Sequence, residues 1–218
     1  MKQFDLVLFD LDGTLTNSGP GIIDCVTRVL KEMGRPVPPP ETLRKFIGPP
    51  LYDSYVTFCH MTSEEAQEGI DRYRALYRAG GVFNNGVYDG IFPVLEKLRA
   101  EGKLLAVATS KPESMAMDVL SHFGLKKYFD AISAADESDR GNGKEELIIP
   151  VLEKLSVAPS RAVMIGDTKY DAAGARNAGT QFLGVLYGFG TEEEMRNEGG
   201  TVFARTPADI IRLLLDKT

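Results

Sequence analysis

The chain has 218 residues, is 43% hydrophobic and carries a formal charge of -6, which allows one or two domains with a buried core. The acidic balance leaves no footprint for nucleic-acid polymers or anionic lipid, because both are bound through clustered Lys and Arg. Cys25 and Cys59 make neither a disulfide framework nor a metal knuckle, no apolar run approaches the roughly 20 residues of a membrane helix, and Met1 to Asp5 has no basic lead into an apolar segment, so a cytoplasmic enzyme is expected.

Phe4 to Phe9 (FDLVLF) is a short apolar run ended by Asp10, and its β-branched and aromatic content predicts a buried strand. From about Asn17 to Phe83 the pattern is helical, with no convincing strand. Ile22, Ile23, Val26, Val29, Leu30 and Met33 recur at helical spacing up to Gly34, and Thr62 with Glu65 forms a capping box ahead of a helix over Ser63 to Arg78. The Pro36 to Pro40 cluster reads as a loop between these helices. Beyond this stretch helices and strands alternate. Helices are predicted at Phe92 to Ala100, Glu113 to Phe123, Glu145 to Leu155 and Asp171 to Ala178, with Gly102, Gly124 and Gly179 as stop signals. Strands are predicted at Leu104 to Ala108, Phe129 to Ala134, Ala162 to Ile165 and Phe182 to Leu186. This alternation implies an α/β fold with a parallel sheet covered on both faces. The stretch 17–83 reads as a helical module inserted after the first strand.

Asp10 and Asp12 close the first strand within Phe9-Asp10-Leu11-Asp12-Gly13-Thr14-Leu15. In an open parallel sheet ligands collect outside the carboxyl ends of strands, which puts Asp10 at the mouth of a crevice. Two carboxylates this close repel by about 4 kcal/mol if their charges approach to about 4 Å at an effective dielectric near 20. A divalent cation offsets that repulsion, and oxygen ligands suit magnesium. Read alone, Asp12-Gly13 is equally a polar turn. Thr109 alone is a cap of the next helix, Lys144 a solvated lysine and Asp167 an ordinary N-cap. Together, Thr109-Ser110-Lys111, Lys144 and Gly166-Asp167-Thr168-Lys169-Tyr170-Asp171 each follow a strand. They bring hydroxyls, an ammonium and carboxylates to one rim, as a site for a metal-bound phosphoryl group requires.

These motifs resemble, in order and spacing, those of the haloacid dehalogenase-like hydrolase superfamily, and within it the small-molecule phosphatases typified by phosphoglycolate phosphatase. The resemblance covers nearly the whole chain and implies a Rossmann-like three-layer sandwich with a mainly parallel sheet (residues 1–16 and 84–218) and an inserted α-helical cap (17–83). It implies Asp10 as the nucleophile that forms an aspartyl-phosphate and Asp12 as the acid and base. Mg2+ would be held by Asp10, the backbone oxygen of Asp12 and Asp167, with Gly166 and Asp171 in support. Asp171 is left either to touch the metal or to orient Lys144. Thr109, Lys144, Ser110 and the backbone at Leu11 would bind the phosphoryl group of a small phosphate ester.

The chain departs from the family in two places. Glu145-Glu146 stands where many relatives place a proline after the lysine, with Gly141-Asn142-Gly143 before it, and Asn17 stands where relatives frequently carry an aspartate. Asp12 argues against dehalogenase, phosphonate-cleaving and transport-ATPase chemistry. Gly166 argues against a phosphomutase, and a non-catalytic phosphate-binding module has no need of an acid at Asp12. Substrate choice, whether phosphoglycolate, a nucleoside monophosphate or a sugar phosphate, is expected to lie in the cap and in Phe46 to Leu51. There is no P-loop, since Ser138 stands where its first glycine belongs. His60 and His122 read as structural, and Gly188-Phe189-Gly190 shapes a loop without making a dinucleotide fingerprint.

Overall fold

The computed structural model describes residues 3–136 and 143–215. Its strands are β1 (Leu6–Phe9), β2 (Leu104–Pro112), β3 (Ala131–Ala135), β4 (Ala162–Gly166), β5 (Gln181–Val185) and β6 (Phe203–Ala204). They form one 6-stranded sheet in the order β3-β2-β1-β4-β5-β6, every pair parallel. This is the doubly wound Rossmann-like order, in which the direction of winding reverses at β1 and a crevice opens between the carboxyl ends of β1 and β4.

Burial explains the unbroken apolar spelling of β1. Leu6, Val7, Leu8 and Phe9 are all 0% exposed, and each such side chain stabilises the fold by roughly 1.5 to 3 kcal/mol relative to exposure. Successive residues point to opposite faces. Val7 and Phe9 join the core formed with α5 (Ile91–Ala100), α6 (Glu113–His122) and α10 (Pro207–Leu215). Leu6 and Leu8 join Ile148, Val151, Ala175 and Ala178 from α7 (Glu145–Leu155) and α8 (Lys169–Ala178) on the other face. Gly102, Gly124 and Gly179 end α5, α6 and α8 at φ of 71, 66 and 75°, the left-handed conformation of a helix stop.

Between β1 and β2 the chain forms α1 (Gly19–Glu32), α2 (Pro40–Leu43), α3 (Leu51–Cys59) and α4 (Ser63–Arg78). The capping box at Thr62 and Glu65 is formed. α1 and α3 both pack on α4, and Phe46 meets the buried Tyr55 ring edge to face at 5.4 Å. The two crossings between this insertion and the sheet lie side by side. Thr16 pairs antiparallel with Val87, Asn17 N donates to Gly86 O at 2.7 Å and Tyr88 N donates to Leu15 O at 3.1 Å.

Several elements differ from the sequence reading. The loop expected at Pro36 to Pro40 ends earlier, because Pro40 opens α2 with its fixed φ at a first-turn position, and Leu51 opens α3. No pattern announced α3, α9 (Glu192–Asn197), β6 or α10. In α3 the apolar residues do not keep to one face, since Tyr52 and Val56 are each 37% exposed. β2 runs past Ala108 to Pro112, with a register shift against β3 between Thr109 and Pro112. Gly141 and Asn142 lie outside the described residues. Among those described, no helix is long and apolar enough to cross a membrane.

Candidate active site

Asp10 directly follows β1 at the point where the winding reverses, and its N–H is held by the Ile165 carbonyl at 2.9 Å. Lys144, the residue ahead of α7, reaches back to it. Its Nζ donates to Asp10 Oδ1 at 2.6 Å and lies 2.8 Å from Asp171 Oδ1. Lys144 is 6% exposed. Its stem fits there because Gly174 of α8 has no side chain, and a Cβ at that position would overlap the Lys144 Cβ. Burial works against its charge, but Asp10 and Asp171 outweigh it and hold the ammonium well above the usual lysine range.

Asp167 sits just beyond β4 and is 0% exposed. It accepts from Thr14 Oγ1 at 3.2 Å and from Phe189 N at 2.7 Å. Gly13, Gly188 and Gly190 close around it so tightly that a Cβ on any of them would overlap Asp167. The Gly188-Phe189-Gly190 loop therefore cradles this carboxylate, a role that its sequence did not disclose. Asp171 in the first turn of α8 accepts from Thr168 N at 3.0 Å and Thr168 Oγ1 at 2.8 Å through Oδ2, while its Oδ1 has the ion pair with Lys144 and no hydrogen bond among the described residues. Gly166 leaves the space that Asp171 fills.

Asp10, Asp167 and Asp171 are buried, and each offers an oxygen within 4.8 Å of the others. Burial, then the neighbouring carboxylates, push Asp167 well above the carboxylate range. Asp10 is pushed up to about 6, by burial first and against the pull of Lys144. Three carboxylates thus face a single ammonium, and an all-oxygen donor set of this kind fits a hard divalent cation. The carboxylate of Asp12, expected beside Asp10, is not part of this triad.

Asp12 turns instead to Lys111, whose Nζ donates to Asp12 Oδ2 at 2.8 Å and to the Tyr77 hydroxyl at 2.8 Å. Thr109 is 1% exposed, and its Oγ1 accepts from Lys111 N at 3.2 Å, so it does not cap α6. A cavity of about 100 Å³ is floored by Asp10, Asp12, Thr109, Ser110 and Lys144 and roofed by Phe46, Leu51, Tyr73, Arg74 and Tyr77. Leu11 is fully buried and offers only its backbone, whose carbonyl accepts from Leu15 N and Thr16 N at 3.0 and 2.9 Å. The sequence brings Lys111 to the rim with Thr109 and Ser110 but gives it no role, and it does not disclose Tyr73 and Tyr77 as site residues. The histidines stay outside: His60 ends α3 at φ 52°, and His122 lies 4.4 Å from the Phe83 ring.

A doubly wound sheet whose switch point gathers a carboxylate triad, a buried lysine and a roofed pocket is the arrangement of an α/β enzyme with a site fit for a divalent cation. The chain belongs to the haloacid dehalogenase-like hydrolases, whose family model matches residues 7–185. It is 37% identical over 212 residues to a 5'-nucleotidase of Pseudomonas aeruginosa, covering 97% of this chain and 96% of that protein. It is 38% identical over 197 residues to the tyrosine-protein kinase PtkA of Mycobacterium tuberculosis, covering 90% and 67% of the two chains. The crystal structure of a predicted phosphatase from Clostridium acetobutylicum superposes with a TM-score of 0.91 at 39% identity, covering 98% of this chain and 99% of that one. Within the family this chain is a phosphoric monoester hydrolase.

Proposed function

We propose that this hydrolase is a magnesium-dependent phosphatase that releases phosphate from a small phosphomonoester through an aspartyl-phosphate on Asp10. The observation that carries the reading is the setting of Asp10, which lines the pocket, lies 2.6 Å from Lys144 and shares a triad with Asp167 and Asp171. A carboxylate in its charged form is already a nucleophile and needs its negative charge offset, not a base, before an anionic ester can approach. Lys144 supplies part of that offset. Mg2+, held by Asp10, Asp167 and the Asp12 backbone oxygen, would neutralise charge on the phosphoryl oxygens when bound. Asp171 then serves as the orienting partner of Lys144. Thr109, Ser110 and the backbone at Leu11 hold the phosphoryl oxygens, and Asp12 protonates the departing alcohol and deprotonates the incoming water, an effect on the order of a hundred to ten thousand fold.

In this reading residues 1–16 and 84–218 are the catalytic core, and 17–83 are a cap that closes over the ester and excludes water. The cavity of about 100 Å³ shares Ser110 and Lys144 with a larger one of about 620 Å³, so phosphoglycolate comes first by the family resemblance and not by size. A nucleoside monophosphate is the second reading, supported by the 37% identity to a protein named 5'-nucleotidase. Phosphate release from p-nitrophenyl phosphate is expected to require Mg2+ and to vanish in Asp10→Asn, and turnover surviving that substitution would refute the nucleophile. A panel of phosphorylated metabolites ranked by kcat/KM then separates the two substrate classes.

A further inference from the structure

β2 does not stop at the hydroxyl residue of its motif. Thr109, Ser110 and Lys111 are buried, exposed and buried in turn, and Lys111 lines the same pocket as Thr109. The lysine side chain is 4% exposed and that of Asp12 16%. Taking an ammonium and a carboxylate out of water costs several kcal/mol per ion, and a fold that accepts this cost at the mouth of its pocket fixes both groups in one geometry. The clamp has two arms from different parts of the molecule: Lys111 Nζ donates to Asp12 Oδ2 in the core and to the Tyr77 hydroxyl at the end of α4, each at 2.8 Å, and lies 4.7 Å from the Tyr77 ring centre. The other oxygen of Asp12 is different. Oδ1 is buried and has no hydrogen-bond partner among the described residues, although Asp12 lines the pocket. A buried acceptor of that kind is costly unless a ligand completes it.

We propose that Lys111 is a positioning residue for proton transfer, clamping Asp12 through Oδ2 so that Oδ1 is the oxygen that exchanges protons with the substrate, and tying this geometry to the insertion through Tyr77. The inference rests on the reading of Asp10 as nucleophile and Asp12 as acid and base. In the first half-reaction the bond from Asp10 to phosphorus forms, the ester P–O bond breaks, and the proton on Asp12 Oδ1 passes to the departing oxygen. In the second, water oxygen bonds to phosphorus, the Asp10–phosphorus bond breaks and the water proton returns to Oδ1.

The test compares two leaving groups with the full-length enzyme. An alkyl phosphate needs its leaving oxygen protonated, whereas p-nitrophenolate departs as a stable anion. Lys111→Met is expected to lower kcat/KM for the alkyl phosphate about a hundredfold and for p-nitrophenyl phosphate only a few fold. Lys111→Arg should restore part of the difference. Tyr77→Phe, which keeps the ring and loses the acceptor, should shift the ratio in the same direction by a smaller factor. Thermal melts establish that each variant is folded, and Tyr77→Phe carries the test if Lys111→Met is not. Equal losses on both substrates would make Lys111 a structural or phosphate-binding residue and overturn the proposal. Asp10→Asn run in parallel separates the two failures: if it stays active the underlying reading falls, and if it is dead while the ratio is unchanged only the role of Lys111 falls.

Discussion

Two buried lysines stand on either side of the pocket, and their surroundings differ in charge. Lys144 faces Asp10 and Asp171, with Asp167 close behind. Lys111 faces one carboxylate, Asp12, and a neutral hydroxyl, Tyr77. The first centre is short of positive charge and lies wholly within the Rossmann-like core. The second is balanced and reaches from the core to α4. An unbalanced centre invites a cation and holds the reacting group, whereas a balanced one holds a geometry.

The sharpest way to break this contrast is to remove each ammonium. Lys144→Met leaves three buried carboxylates without their ammonium, so turnover is expected to fall on the order of a thousandfold. Breaking a buried pair also costs about 3 to 5 kcal/mol of stability. Denaturant melts at neutral pH should show that loss, and added Mg2+ should recover much of it if the triad binds the ion.

A second test uses pH. Asp10 is raised from its ordinary 3.8 to about 6 in the folded chain, so between those values the folded state holds a proton that the unfolded state has released. The resulting stabilisation is complete below the lower value and lost as pH rises through the upper one, on the order of 3 kcal/mol. Metal-free protein should therefore lose stability across this window. The gain in Tm from Mg2+ should be greater at pH 7 than at pH 5, because the ion binds the deprotonated ligand. Lys111 offers no such window: burial opposes its charge, Asp12 and Tyr77 outweigh burial, and the net effect holds it well above the usual lysine range. A gain in Tm that is flat with pH would remove the distinction between the two centres.

The smallest expected effect lies in the helix that carries Tyr77. Thr62 caps α4 by accepting from Glu65 N at 3.3 Å, so Thr62→Ala should cost about 1 kcal/mol in a chemical melt. Its effect on p-nitrophenyl phosphate turnover should be slight.

The two centres also differ in how far the sequence disclosed them. Asp10, Lys144, Asp167 and Asp171 follow strands or open helices, and the topology of a parallel sheet brings such positions together. Lys111 reaches the rim in the sequence only as the last residue of Thr109-Ser110-Lys111, with no role of its own. Its signal was there in the alternation, two residues beyond a buried hydroxyl. Tyr73 and Tyr77, stacked at 5.2 Å, have the spacing of one helix face. Which face meets the pocket depends on how α1 and α3 pack, and no local pattern carries that. The side chain of Asp12, which the resemblance keeps apart from the metal and assigns to proton transfer, meets Lys111 where that of Asp10 meets Lys144.

The paired crossing at Thr16 and Val87 places the entry and exit of the helical insertion next to each other. Antiparallel segments so placed can be bridged by a turn of about two residues. A segment of another length exchanged at this narrow neck would leave the strands beneath in register, but it would have to bring its own partner for Lys111 in place of Tyr77.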